Sequence, residues 1–245
     1  AGSVAARFIT KMIDLIEDEG EAHVVLTGGS VGVEVLAAIA HSPARDSLDW
    51  SALHVWWGDE RWLPRDDDER NETQARRALL DHVSIPDENV HPFPASDDGI
   101  ELEEAAAAYA DELRSFARDG AEHPRFAILF LGVGPDGHIA SLFPERPGPL
   151  VDDRTVIALD DMLHPGHDIV DEELPPTMGL PGGPRTGPGA VLRALRRGPA
   201  LVAAARGLGR HRPDGRFIVA MEPAHLLVRA IADLEPRPGR EFVTE

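Results

Sequence analysis

Residues 131–144 read LGVGPDGHIASLFP, in which a histidine follows a strongly apolar run and a Gly-Pro-Asp-Gly turn. Gly134 and Gly137 permit a turn with positive φ, so the chain can present His138 at the end of a strand. An imidazole with a pKa near ~6.5 suits a general base at neutral pH. We therefore predict that His138 is a catalytic base whose tautomer Asp136 fixes. The competing interpretation is a structural histidine, which would not require this turn.

A glycine pair at residues 28 and 29 lies between the apolar run HVVLT and a segment with helical spacing. The N-terminus of a helix offers unpaired N–H groups and the positive end of the helix dipole, which together bind phosphate or carboxylate. We expect Gly28 and Gly29 to let an anion approach the backbone, and Ser30 to cap the helix and donate its hydroxyl. A tight turn without a ligand is the alternative.

The same stretch, GGSVG, also matches the GxSxG nucleophile elbow of serine hydrolases, with Ser30 as the nucleophile. Only one predicted strand precedes Ser30, and no HGGG-like oxyanion segment lies upstream. The serine-hydrolase interpretation therefore stays a secondary alternative.

A third polar segment, GDERWLP at residues 58–64, follows the apolar run LHVWW. Arg61 has a planar guanidinium that can hold a phosphate through two parallel hydrogen bonds. The two preceding acids, Asp59 and Glu60, offer the alternative of a surface ion pair, which contributes little to stability.

Apolar runs that alternate with helical patterns predict a doubly wound α/β sheet, mostly parallel. In such sheets ligands bind at the carboxyl ends of the strands, so the three polar segments should converge there. The predicted strands are 23–27, 53–57, 126–132 and 216–222, with strand material also possible within 190–209. The predicted helices are 3–19, 31–41, 69–83, 100–117 and 224–234. Residues 175–189 are rich in proline and glycine and predict a long loop.

The composition predicts one domain over residues 1–245, since 245 residues can bury a substantial core. The net charge of −19 disfavours binding to nucleic acid or to an anionic membrane, because both are bound through Lys and Arg. No apolar run reaches the ~20 residues of a membrane-spanning helix, and we expect a cytoplasmic protein. There is no cysteine, no HExxH motif, and the pair at 164–167 (HPGH) has poor ligand spacing, so no metal site is predicted.

Three motifs resemble the 6-phosphogluconolactonases, relatives of the glucosamine-6-phosphate deaminases. They are LTGGS at 26–30, WWGDERWLPRDDDERNETQARRALL at 56–80 and LGVGPDGHIASLFP at 131–144. The resemblance implies a Rossmann-like three-layer α/β/α fold and hydrolysis of 6-phosphogluconolactone, a phosphorylated sugar lactone, in the oxidative pentose phosphate pathway. It implies that neither metal nor nucleotide is used, that His138 is the base, and that phosphate is held by Gly28, Gly29, Ser30 and Arg61.

Departures from the family pattern bear on the activity. Deaminases continue DGHIA with FNEP and carry DEY, where this chain has SLFP and DER, and both differences favour a lactonase. The C-terminal third fits the family pattern poorly: the family's late basic substrate contact has no lysine here, because the only lysine is Lys11, and Arg193, Arg197 or Arg206 could take its place. A deaminase-like enzyme, a catalytically impaired relative and a non-catalytic sugar-phosphate sensor stay open as alternatives. We expect a monomer or a weak homodimer.

Overall fold

The computed structural model describes residues 1–133, 140–141, 154–160, 201–206 and 216–220. Within these ranges the chain forms four α-helices, eight strands and short 3-10 turns. Asp136, His138, Arg193, Arg197, the segment 175–189 and the predicted helix 224–234 lie outside the described residues. Among the described residues, no helix combines the length and the apolar character needed to cross a membrane.

The main sheet contains five parallel strands in the order β4-β2-β1-β5-β7. Their bounds are β1 Ala22–Leu26, β2 Leu53–Trp57, β4 Val90–His91, β5 Phe126–Val133 and β7 Leu201–Arg206. Along the sequence, β2 and then β4 are added on one side of β1, and β5 is added on the other side. The strand order therefore reverses between β1 and β5, and ligands bind outside the carboxyl ends of the strands at such a switch point.

Helices cover both faces of the main sheet, as the three-layer prediction requires. They are α1 Gly2–Glu19, α2 Gly29–Ala40, α3 Asn71–Ala78 and α4 Leu102–Ser115. Phe8 of α1 packs on Phe130 of β5, with ring centroids 5.9 Å apart. Trp56 of β2 contacts Tyr109 of α4, and the register of the strands places it on the opposite face. The predicted α/β/α class is confirmed.

A second, antiparallel sheet contains β3 Asp59–Arg61, β6 Val156–Asp160 and β8 Arg216–Ala220, in the order β3-β8-β6. The sequence Asp-Glu-Arg was expected to be a loop, but its backbone pairs with residues 217–219. The prediction missed β3, β4 and β6. The segment 59–61, which contains the predicted phosphate-binding Arg61, is therefore a paired strand and not a free loop.

The positions of the predicted helices and strands agree with the structure better than their lengths do. The strand at 53–57 has the expected bounds, and the strand at 126–132 extends one residue further to Val133. The helix expected over 69–83 covers only Asn71–Ala78, because Leu79 adopts φ −145° and ψ −56° and a separate 3-10 turn follows. The strand at 216–222 ends at Ala220.

Candidate functional site

The glycine loop after β1 leads directly into α2. Gly28 is the N-cap residue, Gly29 has φ +81°, and both Gly29 and Ser30 are exposed to solvent. The expectation that Ser30 caps α2 is wrong, because the N-cap residue is Gly28 and Ser30 already lies in the first helical turn. The N–H groups at the start of an uncapped helix are suited to bind an anion.

Gly28 lies directly against the side chain of Asn71, the first residue of α3. A Cβ atom placed on Gly28 would lie 1.8 Å from Asn71 Oδ1 and 2.4 Å from Asn71 Cγ. No side chain can be accommodated at residue 28 unless Asn71 moves. The glycine is therefore required by a close approach between the loop after β1 and the start of α3.

Glu60 of β3 is buried and accepts three backbone hydrogen bonds. Oε1 accepts from the N–H groups of Arg61 and Asn71, both at 2.8 Å, and Oε2 accepts from the N–H of Glu72 at 2.9 Å. Burial raises the pKa of Glu60 to about 7, while the nearby Arg70 and the three N–H donors limit the rise. Glu60 therefore joins β3 to the N-terminus of α3.

Arg61 is half-buried and is held by two neutral oxygen atoms. Its Nη1 donates to the carbonyl of Glu69 and, at 3.2 Å, to Oδ1 of Asn71. Among the described residues it forms no ion pair, so the interpretation as a surface pair with Asp59 or Glu60 is not supported. Its Nε and Nη2 donate no hydrogen bond within the same part of the chain, and its charge is not neutralised there.

Asp59 connects β3 with the segment that follows β5. Its Oδ2 accepts a hydrogen bond from Ser141 Oγ at 2.7 Å, and its carbonyl accepts from Asn71 Nδ2 at 2.8 Å. Ser141 is buried, and the preceding Ala140 has φ +52°, a left-handed conformation that is costly for a residue with a Cβ. Residue 141 comes three positions after His138, so the end of that segment is fixed to β3.

The structure thus brings together Gly28, Arg61 and Asp59 with the chain immediately after His138. Asp136 and His138 themselves lie outside the described residues, and their side-chain positions stay predictions. Arg206 is the last residue of β7 and its backbone pairs with Val133, where β5 ends. Asn71 and Ser141 were not predicted, because no local spacing rule connects them with residue 28 or residue 59.

No group of three or more His, Asp or Glu side chains in the described part of the chain has an arrangement that could hold a metal ion. The eleven histidines include three that stack together, His23, His54 and His91, which lie on β1, β2 and β4.

Several known proteins are similar to this chain in sequence and in fold. Residues 1–170 match the family described as glucosamine-6-phosphate isomerases/6-phosphogluconolactonase. A protein of Streptomyces coelicolor named 6-phosphogluconolactonase is 55% identical over 163 residues, which are 65% of this chain and 62% of that protein. One of the same name from Mycobacterium tuberculosis is 49% identical over 148 residues, covering 60% of this chain and 59% of that protein.

Among solved structures, the 6-phosphogluconolactonase of Thermotoga maritima superposes with a TM-score of 0.55 and 32% sequence identity, covering 64% of this chain and 66% of that one. The match spans less than two thirds of the length of each of these relatives. The family match alone covers more than half of the chain. The chain therefore belongs to the family of glucosamine-6-phosphate isomerases and 6-phosphogluconolactonases.

Proposed function

We propose that this chain hydrolyses 6-phospho-D-glucono-1,5-lactone to 6-phosphogluconate, as a step of the oxidative pentose phosphate pathway. The observation that carries the proposal is the close approach of an uncapped glycine loop, an arginine without an ion pair in the described chain, and the end of the His138 segment. Relatives that share this sequence region are named 6-phosphogluconolactonase.

The substrate phosphate would bind between the N-terminus of α2 and Arg61. The N–H groups after Gly28 and the hydroxyl of Ser30 would donate to phosphate oxygens, and the guanidinium would supply charge-assisted hydrogen bonds. Because the whole molecule carries a net charge of −19, an anionic substrate depends on such local donors. Binding energy from the phosphate would then hold the lactone carbonyl in place for reaction.

His138 would act as the general base. It would remove a proton from a water molecule whose oxygen attacks the lactone carbonyl, giving a tetrahedral intermediate with a negative oxygen. The bond between the carbonyl carbon and the ring oxygen then breaks, and His138 returns the proton to that oxygen as it becomes a hydroxyl. Asp136 would hold the imidazole in the required tautomer. Hydrolysis changes no oxidation state, and these steps require no redox cofactor.

The late basic contact with the substrate is proposed to be Arg206 in preference to Arg193 or Arg197. The support is the register of the main sheet, in which the backbone of residue 206 pairs with that of Val133 at the carboxyl end of β5. That end is the strand terminus from which the His138 segment leaves. We further propose that the enzyme acts in the cytoplasm as a monomer or weak homodimer and does not bind nucleic acid.

The test is hydrolysis of 6-phosphogluconolactone above its spontaneous rate, measured beside the unphosphorylated lactone. The wild-type protein should prefer the phosphorylated substrate. His138→Ala should lower kcat by about 100-fold or more with little change in KM, because a missing base affects the chemical step rather than binding. The exposed His82 provides the matched control, and His82→Ala should retain wild-type turnover.

Near-normal turnover by His138→Ala would contradict the role of this histidine, and a wild-type protein without lactonase activity would contradict the proposed function. Fluorophosphonate labelling distinguishes the proposed lactonase from a serine hydrolase. A serine hydrolase that used Ser30 would be labelled at that residue, whereas a water-activating lactonase should not be labelled.

A further inference from the structure

Asn71 contacts more parts of the candidate site than any other side chain described above. Its Oδ1 accepts a hydrogen bond from Arg61 Nη1 at 3.2 Å, and its Nδ2 donates to the carbonyl of Asp59 at 2.8 Å. Its amide also fills the space where a Cβ of Gly28 would be. One buried side chain, 5% exposed, therefore touches the glycine loop, the phosphate-binding arginine and β3 at the same time.

The backbone of Asn71 is held independently of its side chain. The N–H of Asn71 donates to Glu60 Oε1 at 2.8 Å, and this bond fixes the start of α3. A change of the side chain at residue 71 therefore leaves the main attachment between β3 and α3 in place. The orientation of the amide can be tested without removing the anchor of the helix.

The chemical type of residue 71 suits a particular task. An amide presents an acceptor on one side and a donor on the other, so it can accept from Arg61 and donate to Asp59 simultaneously. Both oxygen atoms that hold Arg61, from Asn71 and from the Glu69 carbonyl, are neutral. The guanidinium is thus oriented while its positive charge stays available for a phosphate, which a carboxylate at residue 71 would neutralise.

The contacts of Asn71 also lead toward the His138 segment. Asp59, whose carbonyl accepts from Asn71, accepts at its carboxylate from Ser141 Oγ at 2.7 Å. Two hydrogen bonds therefore connect the amide that positions Arg61 with the chain three residues after His138.

We propose that Asn71 is a positioning residue that orients Arg61 and holds the Gly28 loop beside it, and that it thereby sets the preference for a phosphorylated substrate. The inference rests on the proposed function for the identity of that substrate. Asn71 contacts no reacting atom in this scheme. It acts through Arg61 and through the loop that carries the helix N–H groups.

The decisive measurement is the ratio of kcat/KM for 6-phosphogluconolactone to kcat/KM for the unphosphorylated lactone. Asn71→Ala should reduce this ratio by about 10-fold or more, because the guanidinium loses one of its two orienting acceptors. A purely structural role would lower both values of kcat/KM together and leave the ratio unchanged. In the Arg61→Ala background the same substitution should reduce the ratio by a smaller factor than in the wild-type background, because the part that acts through Arg61 is already lost while the part that acts through the Gly28 loop remains.

Asn89 supplies a matched control. It is also buried, 7% exposed, and its Nδ2 also donates to a backbone carbonyl at 2.8 Å, that of Ser51 near the amino end of β2. Asn89→Ala should lower the thermal midpoint while the substrate ratio stays at its wild-type value. An unchanged ratio in Asn71→Ala, or an equal loss in both asparagine variants, would overturn the inference while the proposed function stands.

The proposed function can be wrong while the inference about Asn71 is right. If the wild-type protein hydrolyses neither lactone, calorimetric titration with 6-phosphogluconate replaces the kinetic measurement. Binding by the wild type that Asn71→Ala weakens by about 10-fold would support the inference without the activity. Equal binding by the two proteins, or no binding by the wild type, would overturn it.

Discussion

At the scale of single residues, Arg61 forms no ion pair among the described residues, although two acids directly precede it in the sequence. Asp59 and Glu60 precede Arg61, yet their carboxylates accept hydrogen bonds from Ser141 and from backbone N–H groups respectively. Arg61 is oriented by neutral oxygens instead. In a chain with 43 acids and 24 basic residues, a guanidinium that forms no ion pair within the described ranges is suited to bind an anionic ligand.

Arg61→Ala should mainly raise KM for the phosphorylated lactone. Charged hydrogen bonds of this kind contribute about 2 to 3 kcal/mol, which corresponds to roughly a 30- to 150-fold increase. KM for the unphosphorylated lactone should change little, because that substrate has no group for Arg61 to bind. Arg77→Ala is the control, since Arg77 is exposed and pairs with Asp68. The phosphate contact is contradicted if KM for the phosphorylated substrate is unchanged.

Local sequence patterns predicted where the glycine loop and Arg61 lie, at the start of α2 and in the segment after β2. The position of His138 stays a prediction, because that residue lies outside the described part of the chain. Asn71 was not predictable, because its role arises from simultaneous contact with residues 28, 59 and 61. A single sequence does not show which distant residues contact each other, so this role becomes visible only when the fold is known.

At the scale of secondary structure elements, the start of α3 is stabilised by a side chain from a different element. The N-cap residue Arg70 provides no side-chain cap, and Glu60 of β3 accepts the N–H groups of Asn71 and Glu72. Arg70 is fully buried and pairs with Glu72 at 3.2 Å, and its Nη2 also donates to the Phe93 carbonyl. A carboxylate near a helix N-terminus also interacts favourably with the helix dipole.

Glu60→Ala should reduce the free energy of unfolding by about 3 kcal/mol or more, because three buried N–H donors lose their acceptor. Glu60→Gln should cost less, about 1 to 2 kcal/mol, since the remaining carbonyl oxygen can still accept. Urea unfolding measures both changes. Glu88, which is exposed, gives the control, and Glu88→Ala should stay within about 0.5 kcal/mol of wild type. A Glu60→Ala protein as stable as that control would show that the cap is dispensable.

The elements that the sequence predicts are those formed from strongly patterned segments. The apolar runs at 53–57 and 126–132 give strands in the expected places, since buried parallel strands are continuously apolar. β3 was missed because Asp-Glu-Arg has little strand propensity and its partner lies about 160 residues away in sequence. Pairing over such a distance, as in the antiparallel sheet, is determined by the tertiary fold.

At the scale of the whole molecule, the main sheet carries a second group of polar side chains apart from the candidate site. A histidine cluster of His23, His54 and His91 lies on one face of β1, β2 and β4. His23 and His54 stack at a centroid distance of 4.7 Å, and His54 Nδ1 lies 3.0 Å from His91 Nε2. His91 stacks on Trp56 at 3.9 Å, and its Nδ1 lies 2.7 Å from Glu112 Oε1.

The histidine cluster connects the stability of the fold to pH. The pKa of His23 is lowered from 6.5 to about 4, mainly by burial and also by the adjacent His54 and His91, while Glu21 acts in the opposite direction. Burial and His91 also lower the pKa of His54. In the unfolded chain these imidazoles take up protons near pH 6.5, whereas the folded protein keeps His23 neutral to about pH 4. The folded state therefore loses stability as pH falls across this range.

We expect the free energy of unfolding to decrease as the pH falls from 6.5 to 4. The protonation of His23 should account for on the order of 2 to 3 kcal/mol of this decrease. His23→Gln should remove that part of the pH dependence, since glutamine does not titrate and its side-chain oxygen can still accept from Trp56 Nε1, as His23 Nδ1 does at 3.1 Å. Urea unfolding at intervals of half a pH unit gives the slope for each protein. His82→Gln changes an exposed histidine and should keep the wild-type slope. If wild type and His23→Gln lose stability in parallel over this range, the acid sensitivity resides in other groups and the cluster is only a packing feature.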